Sequence, residues 1–425
     1  MMTWVDKKIK AMDIVQDEAV NAWANNNYKG TVAATTGSGK SFIGCKAIIK
    51  AYKDGVIKKG DKIGFFAETQ VRENTFREEE FPKFKQVTGH DLEKLFDVQF
   101  RCYQGNPTKK EQFDMIICDE ISEMLTAKYH DPLFFDGPKI GLDATVPEAL
   151  SVYRNELPHT MLNKINQGKK KRDEGIITEL INKGELLDMY MPVVYELSYE
   201  DAVRLGIVAP SNVFVIDHSL DNNKKNMKPF KTKDFYTTEF DYWNRKFNLS
   251  RDFTKSPFVR LSQARELSAF ISTMPSKFEA IKSIVASSAN KTIVFNQKLE
   301  PLRLINLNVA EKDNTQYLID QFNDDEITNI ASAIKLKRGI TLKKCTNVVI
   351  ATPYQNFHHF EQMRGRAVRL DYEDKIANII VFRTNGTYEE KWFDNMQNVY
   401  SLDGDLKRTV YMGDEIKFVS SKRFL

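Results

Sequence analysis

Short apolar runs recur along the first third of the chain at Thr31–Ala34, Ile63–Ala67, Val98–Tyr103, Met115–Cys118 and Ile140–Leu142, with helical or polar stretches between them. Strand-sized runs that are apolar at nearly every position predict strands buried on both faces, and hence a parallel sheet covered by helices. From Ser276 the alternation resumes: a helix, Thr292–Phe295, Leu304–Val309, a helix over Asn314–Phe322, Ile327–Ala331, Val348–Ala351, a helix over Phe357–Arg369, and Ile379–Phe382. A second α/β sheet accounts for it. Thr387–Leu402 reads as a further helix, and Val410–Val419 as a hairpin turning at Gly413–Asp414.

A chain of 425 residues is too long for one core, so two or three domains are expected. With 42% hydrophobic and 28% charged residues, these domains should have real cores. No apolar run reaches the length of a membrane span, and Met1–Gln16 has no apolar signal core, so a cytoplasmic address is expected. The four cysteines, Cys45, Cys102, Cys118 and Cys345, lie far apart with no C-x-x-C pair, which fits reduced core thiols. His358–His359 has no accompanying ligand cluster and reads as structural or as facing nucleic acid. A net charge of +4 excludes a polycationic nucleic-acid coat but leaves a local basic surface open.

The chemistry gathers where predicted strands end. After Thr31–Ala34 comes Thr35–Thr36–Gly37–Ser38–Gly39–Lys40–Ser41, which leads into the helical Phe42–Lys50. Glycines let backbone amides turn toward phosphate oxygens, Lys40 can reach the β and γ phosphates, and Ser41 can ligate Mg²⁺. The alternative is a glycine-rich turn before a helix. Met115–Cys118 likewise runs directly into Asp119–Glu120. Asp119 is placed to hold Mg²⁺ and Glu120 to orient or deprotonate water, unless the pair only caps the following helix.

The company of these two motifs narrows them. Gln16 in "IVQDEAVNAW" resembles the adenine-reading glutamine of superfamily 2 helicases. "DEIS" at Asp119–Ser122 resembles their DExx box and "GLDATVP" at Gly141–Pro147 their motif III. "KTIVFNQ" at Lys291–Gln297, "ASAIKLKRGITL" at Ala331–Leu342 and "QMRGRAVR" at Gln362–Arg369 resemble motifs IV, V and VI, and all occur in the family's order. Within the superfamily, "PVVYELSYEDAVRLGIVAP" and "NGTYEEKW" look like compact phage DNA helicases related to UvsW, RecG and the motors of restriction enzymes. Some positions depart from the family pattern. Asp143 stands where motif III usually has Thr, leaving the coupling role to Ala144 and Thr145. Met363 stands where motif VI often has Arg, and Thr341 replaces an acidic residue at the end of motif V.

The resemblance implies two tandem RecA-like α/β domains with parallel sheets flanked by helices and an ATP site in the cleft between them. The expected division is 1–150 for the first domain, 151–191 for a helical basic linker or insertion, 192–405 for the second domain with an accessory insertion near 218–275, and 406–425 for a hairpin tail. ATP and Mg²⁺ are the implied ligands. Gln16, Thr36, Gly37, Ser38, Gly39, Lys40, Ser41 and Gly339 would hold the nucleotide, and Ser41 and Asp119 the metal. Gln362, Arg366 and Arg369 join Lys40, Asp119 and Glu120 as catalytic residues, the two arginines sharing one face of their helix to neutralise the γ-phosphate. A salt-bridged helix face is the alternative for them.

DNA is the implied partner, duplex, forked or branched, with a single strand in the tracking groove. Thr69, Arg72, Tyr103 and Gln104 would grip it in the first domain and Asn296, Gln297 and Lys335 in the second, mainly through phosphates. The basic run Lys169–Arg172 reads as a solvated loop or a recognition site. The aromatics of Lys224–Lys246 read as a small core beneath an insertion or as base-stacking groups. An ATP-dependent DNA helicase or translocase acting in replication, recombination or repair is the function implied. An RNA helicase, or an ATP-switched clamp that separates no strands, are the rivals.

Overall fold

The computed structural model describes residues 2–67, 71–103, 111–122, 131–144, 186–228, 235–311, 313–333, 342–353, 357–393 and 406–410. The chain divides into two compact units, Met1–Val208 and Ala209–Leu425.

In the first unit, helix α1 (Trp4–Asn25) starts at a capping box in which Thr3 Oγ1 accepts from Asp6 N at 3.1 Å and Asp6 accepts from Thr3 N at 3.0 Å. Its inward face holds Val15, Gln16, Ala19, Val20 and Trp23, and the Trp23 indole donates to Lys139 O at 2.8 Å. Strand β1 (Lys29–Ala34) leads through the glycine loop into α2 (Lys40–Lys53). Strands β2 (Lys62–Ala67), β3 (Asp97–Cys102), β4 (Met115–Asp119), β5 (Lys139–Asp143) and β6 (Val193–Leu197) complete a six-stranded sheet in the order β3-β2-β4-β5-β1-β6. All its pairings are parallel. The buried runs of β1, β2, β4 and β5 are those the apolar pattern predicts.

The second unit opens on β7 (Ser211–His218), after the short helix α3 (Tyr199–Arg204) has closed the first. Helices α4 (Glu239–Arg251), α5 (Pro257–Ile271) and α6 (Pro275–Ser287) precede β8 (Thr292–Phe295). Then come α7 (Thr315–Asn323), β9 (Asn329–Ser332), β10 (Asn347–Ile350), α8 (Phe357–Arg364), β11 (Ala377–Thr384) and β12 (Leu406–Val410). The strands pair in the order β12-β7-β11-β10-β8-β9, again all parallel. The two sheets are tandem RecA-like α/β domains. No helix among the described residues is long and apolar enough to cross a membrane.

The structure corrects four expectations. Val193–Leu197 belongs to the first sheet, paired with β1, so the division falls at Val208/Ala209 and not near 192. Leu304–Val309 is not a strand: helix Glu300–Leu304 ends in a turn where Asn306 takes a φ of +60°, and only Val309 bridges to Ala331. Asparagine tolerates that left-handed conformation, which breaks the run. Leu406–Val410 is a parallel edge strand beside β7, whereas the expected turn at Gly413–Asp414 lies outside the described residues. The helix of motif VI stops at Arg364, short of Arg366 and Arg369.

The aromatics near 235–247 divide between both readings. Trp243 is buried with Leu267, Phe270, Ile271 and Met274 in a small core, while Phe235, Tyr236 and Phe240 are exposed. Of the cysteines, Cys45, Cys118 and Cys345 are buried thiols, and burial pushes the Cys345 thiol up to about 12.

A buried polar network seats α4 on the second sheet. Glu239, the first residue of α4, accepts from Asp221 N at 2.9 Å, from Ser276 N at 2.9 Å and from Ser276 Oγ at 2.6 Å. Ser276 Oγ lies 3.0 Å from His218 Nε2 at the end of β7. Burial, and then the charge of Lys277, lower the His218 pKa from 6.5 to about 3. Above about pH 6.5 the ring is neutral folded or unfolded. Between about 6.5 and 3 the unfolded chain takes up a proton that the folded chain refuses, so stability falls with pH by up to about 1.4 kcal/mol per unit. Thermal melts from about pH 7 to about pH 5 should show a shallower acid loss for His218→Asn than for the wild type. Equal slopes would remove His218 from the account.

Candidate active site

The parallel register brings the first unit's chemistry to one edge. Val32 pairs with Leu142, and Leu142 pairs with Asp119, so the ends of β1, β5 and β4 lie level. Such carboxyl ends are where α/β sheets bind ligands. Beyond β1 the loop turns through Gly37 at φ +93° and Gly39 at φ +83°, both left-handed, and Gly39 caps α2. Ser38 is fully buried, its hydroxyl donating to Thr35 O at 2.8 Å. Lys40 folds back so that Nζ donates to Ala34 O at 3.1 Å, which sets its ammonium inside the loop. Ser41 is buried in the first turn of α2. Gln16, 4% exposed on α1, donates through Nε2 to Ser38 O at 3.4 Å, so the glutamine named from the resemblance does abut the loop.

A Cβ on Gly39 would fall 2.6 Å from Gln16 Nε2 and 3.0 Å from Met12 Cε, on a backbone that side chains rarely adopt. Gly39→Ala should therefore displace Gln16 and open the loop. Affinity for a nonhydrolysable ATP analogue should drop roughly tenfold, reflecting a cost of about 1–2 kcal/mol for the left-handed conformation. Unchanged affinity in a titration would contradict the packing described.

Asp119 is buried at the end of β4, and Glu120 follows at φ +53°, a left-handed conformation in a residue that is not glycine. Strain of this kind persists only where the surroundings enforce it. Here it is enforced from two directions. The Tyr103 hydroxyl donates to Asp119 O at 2.7 Å, and Asp143, fully buried at the end of β5, accepts from Ser122 N at 2.7 Å. Burial pushes the Tyr103 phenol well above its usual range, so it remains a donor.

Tyr103 is therefore a core residue and not a nucleic-acid grip: it is 3% exposed and its hydroxyl is engaged. Asn296 is corrected for the same reason. Fully buried, it donates to Ser272 O at 2.8 Å and Lys298 O at 2.7 Å and accepts from Thr352 Oγ1 at 3.0 Å. Gln297 is half-buried and stays eligible for contact, and Ala144 is nearly buried beside Asp143. Arg72 lies in the helical turn Val71–Thr75 and not in a loop. Thr69, Gln104, Thr145, Lys335 and Gly339, with the basic run Lys169–Arg172, lie outside the described residues.

In the second unit Gln362 is buried in α8. The chain then leaves the helix through a turn in which Gly365 N donates to Glu361 O at 2.8 Å and Arg366 N to Met363 O at 3.1 Å. Arg366 lies in that turn and Arg369 beyond it, both half-buried, so their spacing of three does not align them on a helix face. Arg364, which sequence reasoning passed over, is the buried arginine of the motif and pairs with Glu361 at 2.5 Å. Asp143 was the other omission, taken only as a departure from motif III; its signal was an acid closing the apolar stretch Ile140–Leu142 of β5.

The loop amides, Lys40, Ser41, Asp119 and Glu120 form a donor set that suits a nucleoside triphosphate with Mg²⁺. Residues 276–371 match the family "Helicase conserved C-terminal domain". No curated protein matches the sequence. Among solved structures 587 chains match, so the architecture by itself does not choose a reaction. One is the ATP-dependent Type ISP restriction-modification enzyme LlaBIII bound to DNA, 15% identical, with a TM-score of 0.54 over 95% of this chain and 32% of that one. This chain thus spans about a third of that enzyme's length. Residues 276–371 of the second unit thus resemble a helicase C-terminal domain, and the chain as a whole shares the tandem α/β fold of that DNA-bound enzyme.

Proposed function

We propose that this protein is an ATP-dependent DNA helicase or translocase that couples ATP hydrolysis to unwinding or remodelling of duplex or branched DNA, in the cytoplasm, during replication, recombination or repair. The observation that carries this reading is one chain in which a glycine loop with an inturned lysine lies level with a strained Asp–Glu pair, and in which residues 276–371 match a helicase domain. The DNA-bound enzyme of like fold supports DNA as the partner.

In this reading the loop amides and Lys40 bind the phosphates, and Gln16 packs beneath the loop where an adenine reader belongs. Mg²⁺, held by Ser41 and Asp119, would supply charge neutralisation on the phosphate oxygens. Glu120 accepts a proton from the attacking water, and Tyr103 and Asp143 hold the loop that presents it. Arg366 and Arg369 keep their assignment to the charge that builds on the γ-phosphate, and Gln362 its place beside them. Thr69, Arg72, Gln104, Gln297 and Lys335 remain the proposed phosphate contacts to DNA, and Ala144 and Thr145 the proposed coupling pair.

Displacement of a labelled strand from forks and junctions tests the motor. Release that needs hydrolysable ATP is expected. Turnover with no displacement and no movement along duplex would leave a clamp and end the motor reading.

A further inference from the structure

Helices α4 and α5 are joined by only five residues, and their side chains meet in antiparallel order. Lys246 pairs with Glu266 at 2.5 Å and the Tyr242 ring packs tilted against Phe270 with centroids 4.9 Å apart, so four residues forward on one helix match four back on the other. The base of this hairpin is fixed by the Glu239–Ser276 bonds and by the small core around Trp243. At about 1.5 Å per residue its tip stands on the order of 20 Å from that base.

The tip is apolar where a free surface should be polar. Phe253 is 83% exposed and Phe258 79%, the two most exposed aromatic rings among the described residues. The turn is nonetheless ordered from within. Asp252 accepts from Thr254 N at 2.9 Å, and Ser256 caps α5 by accepting from Val259 N at 3.3 Å, with Pro257 in the first helical position. Three cations, Arg251, Lys255 and Arg260, fall within this turn and the residues flanking it against the single carboxylate of Asp252, and Arg251 lies over Phe247 on the helix side of the tip. The Arg260 guanidinium lies 4.6 Å from the Phe253 ring centre, and its Nε, buried, has no hydrogen-bond partner among the described residues.

Two outward rings on a rigid, basic tip match the chemistry of unpaired bases: flat faces for stacking and phosphates for the guanidinium and ammonium groups. Val259 and Leu261 beside the rings are also exposed, and the Arg260 guanidinium on Phe253 favours a phosphate-bearing partner over a purely apolar protein face. We propose that the α4–α5 tip is a stacking platform for unpaired bases of a nucleic-acid strand, with Phe253 and Phe258 as the stacking groups and Arg260 as the phosphate contact. This rests on the reading of the chain as a nucleic-acid motor and adds a contact outside its helicase motifs.

The test compares wild type, Phe253→Ala/Phe258→Ala and Phe253→Tyr/Phe258→Tyr for binding to a labelled oligothymidylate and to a fork with an unpaired arm. Both substitutions are on the surface, so melting temperature and ATP turnover without DNA should not change. The alanine pair should bind roughly tenfold to a hundredfold more weakly, and the tyrosine pair like wild type. Wild-type affinity in the alanine pair, or equal weakness in the tyrosine pair, would overturn the platform while leaving the motor reading intact. If the wild type binds no nucleic acid at all, the motor reading itself fails. Should the alanine pair bind DNA normally but lose a self-association seen for wild type in sedimentation, the tip is a protein contact and the proposal is overturned.

Discussion

Glu120→Gln should retain ATP and lose hydrolysis, with turnover lowered by roughly 10²- to 10⁴-fold, the contribution expected of a positioned general base. The amide keeps the size of the carboxylate, so the loop held by Tyr103 and Asp143 should keep its shape. Lys40, the loop amides and Gln16 are untouched, and affinity for ATP should stay within a few-fold of wild type. Lys40→Ala should do the reverse: with no ammonium inside the loop, binding weakens and turnover falls with it. Equilibrium binding of a fluorescent ATP analogue and steady-state phosphate release separate the two outcomes. Turnover by Glu120→Gln within about threefold of wild type would remove Glu120 from the proton-accepting role. The left-handed backbone at Glu120 adds a structural corollary, since Glu120→Gly should relieve strain of about 1–2 kcal/mol while abolishing hydrolysis.

Lys277→Met should destabilise the second unit by about 3–5 kcal/mol, the usual cost of leaving one member of a buried ion pair without the other. Lys277 and Glu389 are both fully buried, their charged atoms 2.6 Å apart. Burial lowers the Lys277 pKa and raises that of Glu389, and each charge opposes the other's shift. Lys277 also donates to Ile271 O at 3.1 Å, and Glu389 accepts from Thr384 N at 3.0 Å, so the pair ties the ends of α5 and β11 to α6. For a unit of this size the melting temperature should fall by roughly 10 °C. Replacing both, as Lys277→Met/Glu389→Leu, should recover most of the loss because no buried charge is left over. Calorimetry would contradict this account if the single variant lost less than about 1 kcal/mol or if the double variant were the less stable of the two.

The two sheets were legible because parallel strands covered on both faces write continuous apolar runs, as in β4 and β11. The turn of the glycine loop into α2 was legible because its glycines, lysine and hydroxyl are adjacent in sequence. Strand β6 was not, since its exposed, partly polar face marks an edge strand whose place is set by pairing with β1, more than 150 residues earlier. The motif VI helix looked longer than it is because the apolar positions continue through Ala367 and Val368 after the helix has ended at Arg364. Tyr103 and Asn296 show a different limit. A polar side chain at a strand end looks the same in sequence whether it faces a ligand or turns inward to satisfy buried backbone groups, and both of these turn inward. Asp143 was overlooked because it departs from a family pattern, and Arg364 because it falls between the named positions of its motif; each has a buried polar partner.

ATP turnover measured with no nucleic acid and then with single-stranded, duplex, forked and junction DNA and with RNA tests the central claim most directly. Turnover raised at least several-fold by DNA, most by forked or branched forms and not by RNA, and absent in Glu120→Gln, is the predicted result. Turnover that no DNA form alters, or that only RNA raises, would contradict it.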